Sequence, residues 1–217
     1  MDNYKSAIGL GGKLEQFFEE EAREGLMEKF LMKGAKLEWP GLRIAAQGAV
    51  LKSDDSFRIV RDGTRGIRLN HELRPRDQIR LPTASEGRTL MEMCSRERPG
   101  AHFQMVADIS KAHRRVKHRR SDWGLLGCQS IAGGEGEGSV WVNKVGTFGV
   151  STASYWWGRL ASAIGRLCLL LCLDEWSFQV LYADDLRFSV FGPEKFRHLA
   201  RSLLWWEMAG APFAWRK

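Results

Sequence analysis

The chain has 217 residues, 44% of them hydrophobic and 27% charged, which is the composition of an ordinary globular protein with a buried core. This length allows one domain or two small subdomains. The formal net charge of +7 favours an anionic partner, and nucleic acid is the usual one. Charge alone is equally compatible with a basic protein that binds no nucleic acid.

Several function classes are disfavoured by local patterns. The four cysteines form no CxxC pair and show no zinc-finger spacing. We therefore interpret them as reduced thiols in a reducing compartment; they are Cys94, Cys128, Cys168 and Cys172. The N-terminus lacks the basic-then-apolar pattern of a signal peptide, and the longest apolar run, residues 167–173, is too short to span a bilayer. We therefore expect an intracellular protein, cytoplasmic or nuclear, that is not secreted and has no membrane partner.

The first hundred residues change from a helical to a strand pattern. Apolar residues at helical spacing predict helix over residues 1–36. Residues 46–51 and 57–60 then predict a β-hairpin with a polar turn. Residues 62–100 are rich in Arg, Pro and Gly and predict extended loops with a short helix over 85–94.

From residue 103 the chain predicts strand, helix, hairpin, helix, hairpin, helix and a final strand. The predicted ranges are a strand at 103–109, a helix at 110–118, strands at 123–128 and 139–143 joined by a glycine-rich loop, a helix at 155–173, a hairpin at 178–191 and a helix from 193 to 210. The first long helix is predicted to present one apolar stripe, comprising Trp156, Leu160, Ile164, Leu167 and Leu171. This order predicts an α+β fold, with antiparallel strands on one side and helices on the other.

The most informative local feature is the sequence Tyr-Ala-Asp-Asp at residues 182–185, between two predicted strands. Adjacent carboxylates on a hairpin turn repel each other, and a hard divalent cation such as Mg²⁺ would account for them. A solvated acidic turn is the alternative. Asp108 ends another predicted strand, so three carboxylates converge if these strands are neighbours.

Five blocks in order, across residues 40–217, resemble a reverse transcriptase of the kind carried by retroelements. They are residues 52–62 (Lys-Ser-Asp-Asp-Ser-Phe-Arg-Ile-Val-Arg-Asp), 107–113 (Ala-Asp-Ile-Ser-Lys-Ala-His), 146–154 (Gly-Thr-Phe-Gly-Val-Ser-Thr-Ala-Ser), 182–185 and 206–217 (Trp-Glu-Met-Ala-Gly-Ala-Pro-Phe-Ala-Trp-Arg-Lys). The resemblance rests on their order and spacing more than on any single block.

The resemblance implies two groups of site residues. Asp108, Asp184 and Asp185 match the catalytic, metal-binding acids, with two Mg²⁺ ions (or Mn²⁺) as cofactors. The positions that match nucleotide-binding residues of the family are Lys52, Arg58, Ile109, His113, Phe148, Gly149 and Lys217.

Some positions depart from the family pattern. His113 stands where the family usually has an aromatic side chain that excludes a ribose 2′-hydroxyl, and Ser154 stands where the family usually has Pro. Lys217, which matches a proposed proton donor to pyrophosphate, is the last residue of the sequence.

The resemblance implies a polymerase palm at residues 103–217, a small fingers subdomain at 41–102 and an N-terminal helical segment at 1–40, with the thumb absent. The implied activity is RNA-directed DNA polymerisation, with an RNA/DNA primer–template and deoxynucleoside triphosphates as partners and with further domains supplied by a longer polyprotein. Two alternatives stay open. One is a non-catalytic nucleic-acid-binding remnant of a retroelement, and the other is a different palm-type nucleotidyl transferase, such as an RNA-dependent RNA polymerase.

Overall fold

The computed structural model describes every residue except 1, 54, 98–99, 101, 131–137, 172–176 and 216–217. The described residues form a mixed α+β structure, as predicted. Its α-helices are α1 Lys5–Ile8, α2 Gly12–Arg23, α3 Met32–Glu38, α4 Leu69–Glu72, α5 Ala84–Glu97, α6 Ala153–Leu171 and α7 Lys195–Met208. Its strands are β1 Met27–Leu31, β2 Ile44–Ala45, β3 Gln47–Leu51, β4 Phe57–Arg61, β5 His102–Asp108, β6 Gly127–Cys128, β7 Ser139–Asn143, β8 Ser177–Tyr182 and β9 Asp185–Phe191.

The chain divides into two compact units, each built from two stretches of sequence. The first unit comprises Met1–Arg76 and Val116–Ala153, and the second comprises Asp77–Arg115 and Ser154–Lys217. Each unit is therefore discontinuous in sequence, whereas each predicted subdomain, at 1–40, 41–102 and 103–217, is one continuous stretch. Their assignment to functional subdomains stays a prediction.

In the first unit, a four-stranded sheet has the strand order β1-β7-β6-β2. The prediction of continuous helix over residues 1–36 is wrong at 27–31, because this segment pairs antiparallel with β7, Met27 lying opposite Asn143. Met27 is buried beside Phe18 and Trp141 in the core. The pairing joins segments more than a hundred residues apart and overrides the local helical spacing.

The predicted hairpin of the first unit is confirmed. Strands β3 and β4 pair antiparallel, with Gln47 opposite Arg61 and Leu51 opposite Phe57.

Two predictions for the middle of the chain are only partly met. The helix predicted at 110–118 is a 3₁₀ helix over Ala112–Arg115, and most of the strand predicted at 123–128 is a 3₁₀ helix over Arg120–Leu126. The second 3₁₀ helix packs closely on Trp39, since a Cβ added at Gly124 would lie 2.4 Å from Trp39 Cβ. Most of the predicted glycine-rich loop, residues 133–137, lies outside the described residues.

In the second unit, a three-stranded antiparallel sheet has the strand order β5-β9-β8. The strands predicted at 103–109 and 178–191 are confirmed within one residue at their ends. Gln179 of β8 connects the sheet to both long helices. Its Oε1 accepts a hydrogen bond from Trp206 Nε1 of α7 at 3.0 Å, and its Nε2 lies 3.0 Å from Cys168 Sγ of α6.

Helix α6 forms where predicted, but the predicted apolar stripe is on the wrong face, apart from Ile164. Trp156 and Leu167 are about half exposed, at 49% and 50%. The buried residues at helical spacing are Trp157, Ala161, Ile164 and Cys168. The helix is apolar nearly all round, so periodicity cannot distinguish a large exposed leucine from the small residues that allow close packing. Residues 172–173 of the predicted helix lie outside the described residues.

Helix α7 buries polar side chains that the apolar pattern does not indicate. His198 and Ser202 are buried together with Leu199 and Trp206, whereas the large apolar residue Phe196 is 59% exposed. Among the described residues, no helix combines the length and the apolar character needed to cross a bilayer.

Candidate functional site

The acidic turn and the acid at the end of β5 lie at the same end of the second unit's sheet. Strand β9 pairs with β5 on one side and with β8 on the other, and Asp108 lies directly opposite Asp185. Directly opposed residues of antiparallel strands project from the same face, with Cβ atoms about 4.5–5.5 Å apart. These strands are therefore neighbours, which is the condition under which the three carboxylates converge.

Asp184 lies in the two-residue turn between β8 and β9. Its carbonyl oxygen accepts a hydrogen bond from the Ile109 amide at 3.0 Å. This bond fixes the turn against the residue that follows Asp108. Three carboxylates are thus brought to one end of the sheet by backbone pairing.

The turn has a strained backbone. Ala183 has a φ of +55°, a value that favours glycine, and its carbonyl oxygen accepts a hydrogen bond from Trp157 Nε1 at 2.9 Å. Trp157 is 1% exposed and belongs to α6. No sequence motif indicates Trp157, because only the packing of α6 shows which of two adjacent tryptophans reaches the turn.

A segment after α7 holds the end of β5 from another direction. Ile109 forms an isolated antiparallel bridge with Phe213, the Ser110 amide donates to the Pro212 carbonyl at 2.8 Å, and the Ala214 amide donates to the Asp108 carbonyl at 2.8 Å. This bridge replaces the final strand predicted there. Lys217, a predicted nucleotide-binding residue, lies outside the described residues.

Glu207 of α7 anchors this segment. One carboxylate oxygen, Oε1, accepts hydrogen bonds from the Phe213 amide at 3.1 Å and from Trp215 Nε1 at 2.9 Å. No sequence motif indicates this contact, because it depends on the chain folding back after the helix.

The opposed acids have an electrostatic cost of their own. Like charges directly opposite each other on one sheet face are destabilising, and Asp185 is exposed on that face. Carboxylate oxygens are the ligands that Mg²⁺ and Mn²⁺ prefer, so Asp108, Asp184 and Asp185 are the residues that could hold such an ion. Within the described residues, no three His, Cys, Asp or Glu side chains are arranged closely enough to hold a metal ion. The three acids converge through the backbone register of the strands.

The sheet face that carries these acids is open at the acid end and covered farther along. Val106 is 58% exposed and Tyr182 is 55% exposed beside the acids. Farther from the turn, Met91 of α5 lies over this face, with its Sδ 2.9 Å from Gln104 Nε2 and 3.7 Å from Ser189 Oγ. A ligand can therefore approach the sheet at the acid end.

The first unit brings together two of the predicted nucleotide-binding residues, Arg58 and Phe148. The guanidinium carbon of Arg58, on β4, lies 4.5 Å from the centre of the Phe148 ring. Such a cation–π contact orients a guanidinium without neutralising it. Lys52 is exposed in the turn of the same hairpin.

Gly149 lies where only glycine fits. Its φ is +91°, and a Cβ there would lie 1.7 Å from the Arg61 carbonyl oxygen. Asn70 fastens this loop, because its Nδ2 donates to the Gly149 carbonyl and its Oδ1 accepts from the Ser151 amide, both at 2.9 Å. The loop that carries Phe148 is therefore rigidly attached to the end of β4.

Arg61 has a structural role that no sequence motif indicates. It is 1% exposed, and its guanidinium donates to the carbonyl oxygens of Gly127 at 2.8 Å and Leu125 at 2.7 Å. Burial lowers the pKa of Arg61 to about 10, which still leaves it protonated at neutral pH. Its own amide donates to the Phe148 carbonyl at 3.0 Å, so this buried cation also supports the loop.

The remaining predicted site residues fall in the second unit. His113 lies in the 3₁₀ helix after β5, and the Ile109 amide faces the acidic turn. The acids, Ile109 and His113 thus belong to the second unit, whereas Lys52, Arg58, Phe148 and Gly149 belong to the first.

Comparison with known proteins identifies no family for this chain. No protein-family model matches the sequence, and no curated protein matches it at a significant level.

Proposed function

We propose that the chain is the fingers-and-palm core of a reverse transcriptase, which adds deoxynucleotides to the 3′-hydroxyl of a primer on an RNA template. The observation that carries the proposal is the register that sets Asp108 opposite Asp185, with Asp184 in the adjoining turn. A polymerase palm needs acids from distant segments at one end of an antiparallel sheet. The order of the five sequence blocks supports the same assignment.

In this proposal the three acids would hold two Mg²⁺ ions, which supply activation of the primer hydroxyl and stabilisation of the leaving pyrophosphate. The chain itself would contribute the sheet end on which the carboxylates are positioned. Lys52 and Arg58 would bind the triphosphate, because an ammonium and a planar guanidinium suit linked phosphates. Phosphoryl transfer depends mainly on such positioning and electrostatics.

The direct test is primer extension by the purified chain on an RNA template, with either deoxynucleotides or ribonucleotides. We expect extension with deoxynucleotides that is abolished by a chelator and restored by Mg²⁺ or Mn²⁺. Extension with ribonucleotides alone would indicate an RNA polymerase instead. Binding of the primer–template without extension by either nucleotide would indicate the non-catalytic remnant.

Arg58→Ala is expected to raise the KM for deoxynucleotides with a smaller effect on kcat. A hydrogen bond to a charged group contributes about 1.5–3 kcal/mol, so the expected rise is about 10- to 100-fold. The KM of Arg58→Lys should lie between those of the wild type and of Arg58→Ala, because lysine keeps the charge and loses the planar donor pair. The measurement is steady-state extension at varied deoxynucleotide concentration.

Arg23→Ala is the matched control, since it removes an exposed arginine from α2 in the same unit. It should leave the KM unchanged. Equal KM values for the Arg58 and Arg23 variants would contradict a phosphate-binding role for Arg58.

A further inference from the structure

Trp157 contacts the acidic turn and has no role in the proposed mechanism as described above. It is 1% exposed, and its indole N–H donates to the Ala183 carbonyl at 2.9 Å. An indole has a single donor and no acceptor, so this hydrogen bond fully occupies its polar group. The contact joins the first turns of α6 to the residue immediately before Asp184.

The residue it holds is in an unfavourable conformation. Ala183 has a φ of +55° in a two-residue hairpin turn, a position that glycine usually occupies. A non-glycine residue in this region persists only where its surroundings hold it. Loss of the indole donor would leave the Ala183 carbonyl without this partner and allow the peptide between residues 183 and 184 to rotate.

That rotation would change the φ of Asp184 and with it the orientation of the next peptide group, which carries the Asp184 carbonyl. The Asp184 carbonyl accepts from the Ile109 amide at 3.0 Å, next to Asp108. The side chain of Asp184 leaves the same short turn. The relative placement of Asp108 and Asp184 therefore depends on the two peptide groups on either side of Asp184.

We propose that Trp157 is a positioning residue: its indole N–H holds the strained Ala183–Asp184 turn and thereby sets Asp184 against Asp108. The consequence for catalysis rests on the proposed polymerase function. The structural part does not, because the Ile109 amide reports on the turn directly.

The first test is amide hydrogen exchange in Trp157→Phe, which keeps an aromatic ring and removes the donor. We expect exchange at Ile109 to accelerate about tenfold, the effect of losing about 1.4 kcal/mol of local stability. The amides of Ser110 and Ala214 serve as internal references, since they bond to Pro212 and Asp108 and not to the turn. Unchanged exchange at Ile109 would overturn the proposal.

Trp206→Phe is the matched control. Trp206 is also 1% exposed and also loses an indole hydrogen bond, but that bond is to the Gln179 side chain instead of the turn. Trp206→Phe should not selectively accelerate hydrogen exchange at the Ile109 amide. Equal acceleration by both variants would assign Trp157 a general packing role and overturn the proposal.

The second test is primer extension. Trp157→Phe should lower kcat about tenfold, by about 1.4 kcal/mol, and leave the KM for deoxynucleotides unchanged. In an Ala183→Gly background the positive φ is no longer strained, so Trp157→Phe should lower kcat less than threefold. An equal cost in both backgrounds would overturn the link between the indole and the strained residue. If the wild-type chain extends no primer, the proposed function fails, and the exchange experiment still decides the role of Trp157.

Discussion

Replacement of Asp184 by Asn is expected to abolish metal-dependent primer extension while the protein stays folded. Asn keeps the size of the side chain but removes the negative charge that a hard cation requires. We expect kcat to fall by about three orders of magnitude, equivalent to about 4 kcal/mol of transition-state stabilisation. Asp108→Asn should have an effect of similar size, because the register places Asp108 at the same end of the sheet.

The fold should tolerate the loss of charge at Asp184. Asp184 lies in the turn next to the opposed pair Asp108 and Asp185, so the loss of its charge lowers the like-charge density at this end of the sheet. The metal-free Asp184→Asn variant is therefore expected to unfold at a temperature no lower than the wild type. Circular dichroism and thermal unfolding without divalent cations measure this directly.

Glu92→Gln is the matched control for the acids. Glu92 is an exposed carboxylate on α5 in the same unit, so this change removes one charge far from the turn in sequence. Extension by this variant should equal that of the wild type. Wild-type extension by the Asp184 variant would refute the polymerase assignment outright.

Gly149→Ala is expected to cause the largest loss of stability of any single methyl addition at a described glycine. The added Cβ would lie 1.7 Å from the Arg61 carbonyl oxygen, and the residue has a φ of +91°. Left-handed strain and overpacking together should cost about 3–5 kcal/mol. The loop would have to separate from β4, which would also break the contact between Arg58 and Phe148.

Equilibrium unfolding in denaturant measures this cost, and Gly25→Ala is its matched control. Gly25 lies in the same unit with a φ of +75°, but a Cβ there meets no atom within 4 Å. It should therefore show the backbone strain alone, about 1–2 kcal/mol. If the two variants are equally destabilised, the loop at Gly149 moves away without cost and the close approach has no energetic role.

Elements whose pairing is local were predictable from the sequence. The β3–β4 hairpin and the β8–β9 hairpin each join segments a few residues apart, so alternation and a polar turn were sufficient to locate them. The existence of α6 and α7 also followed from residue pattern. Their buried faces did not follow, because small and polar residues such as Ala161, Cys168 and Ser202 are the ones that pack.

Some features that depend on distant partners could not be predicted. Strand β1 has a helical pattern and becomes a strand only because β7 pairs with it. The contacts of Trp157 with the turn and of Glu207 with the segment around Phe213 likewise need the folded chain. The local spacing of apolar residues does not encode such contacts.

By itself, the amino-acid sequence determined which acids are present, that two of them are adjacent where a hairpin turns, and that a third ends another strand. Tertiary structure alone decided that β9 lies between β5 and β8, so that Asp108 lies opposite Asp185. It also decided how the strained turn is held. The physical reason is that a residue's type and its local spacing are properties of a short segment, whereas the register of a sheet depends on hydrogen bonds between segments far apart in the chain.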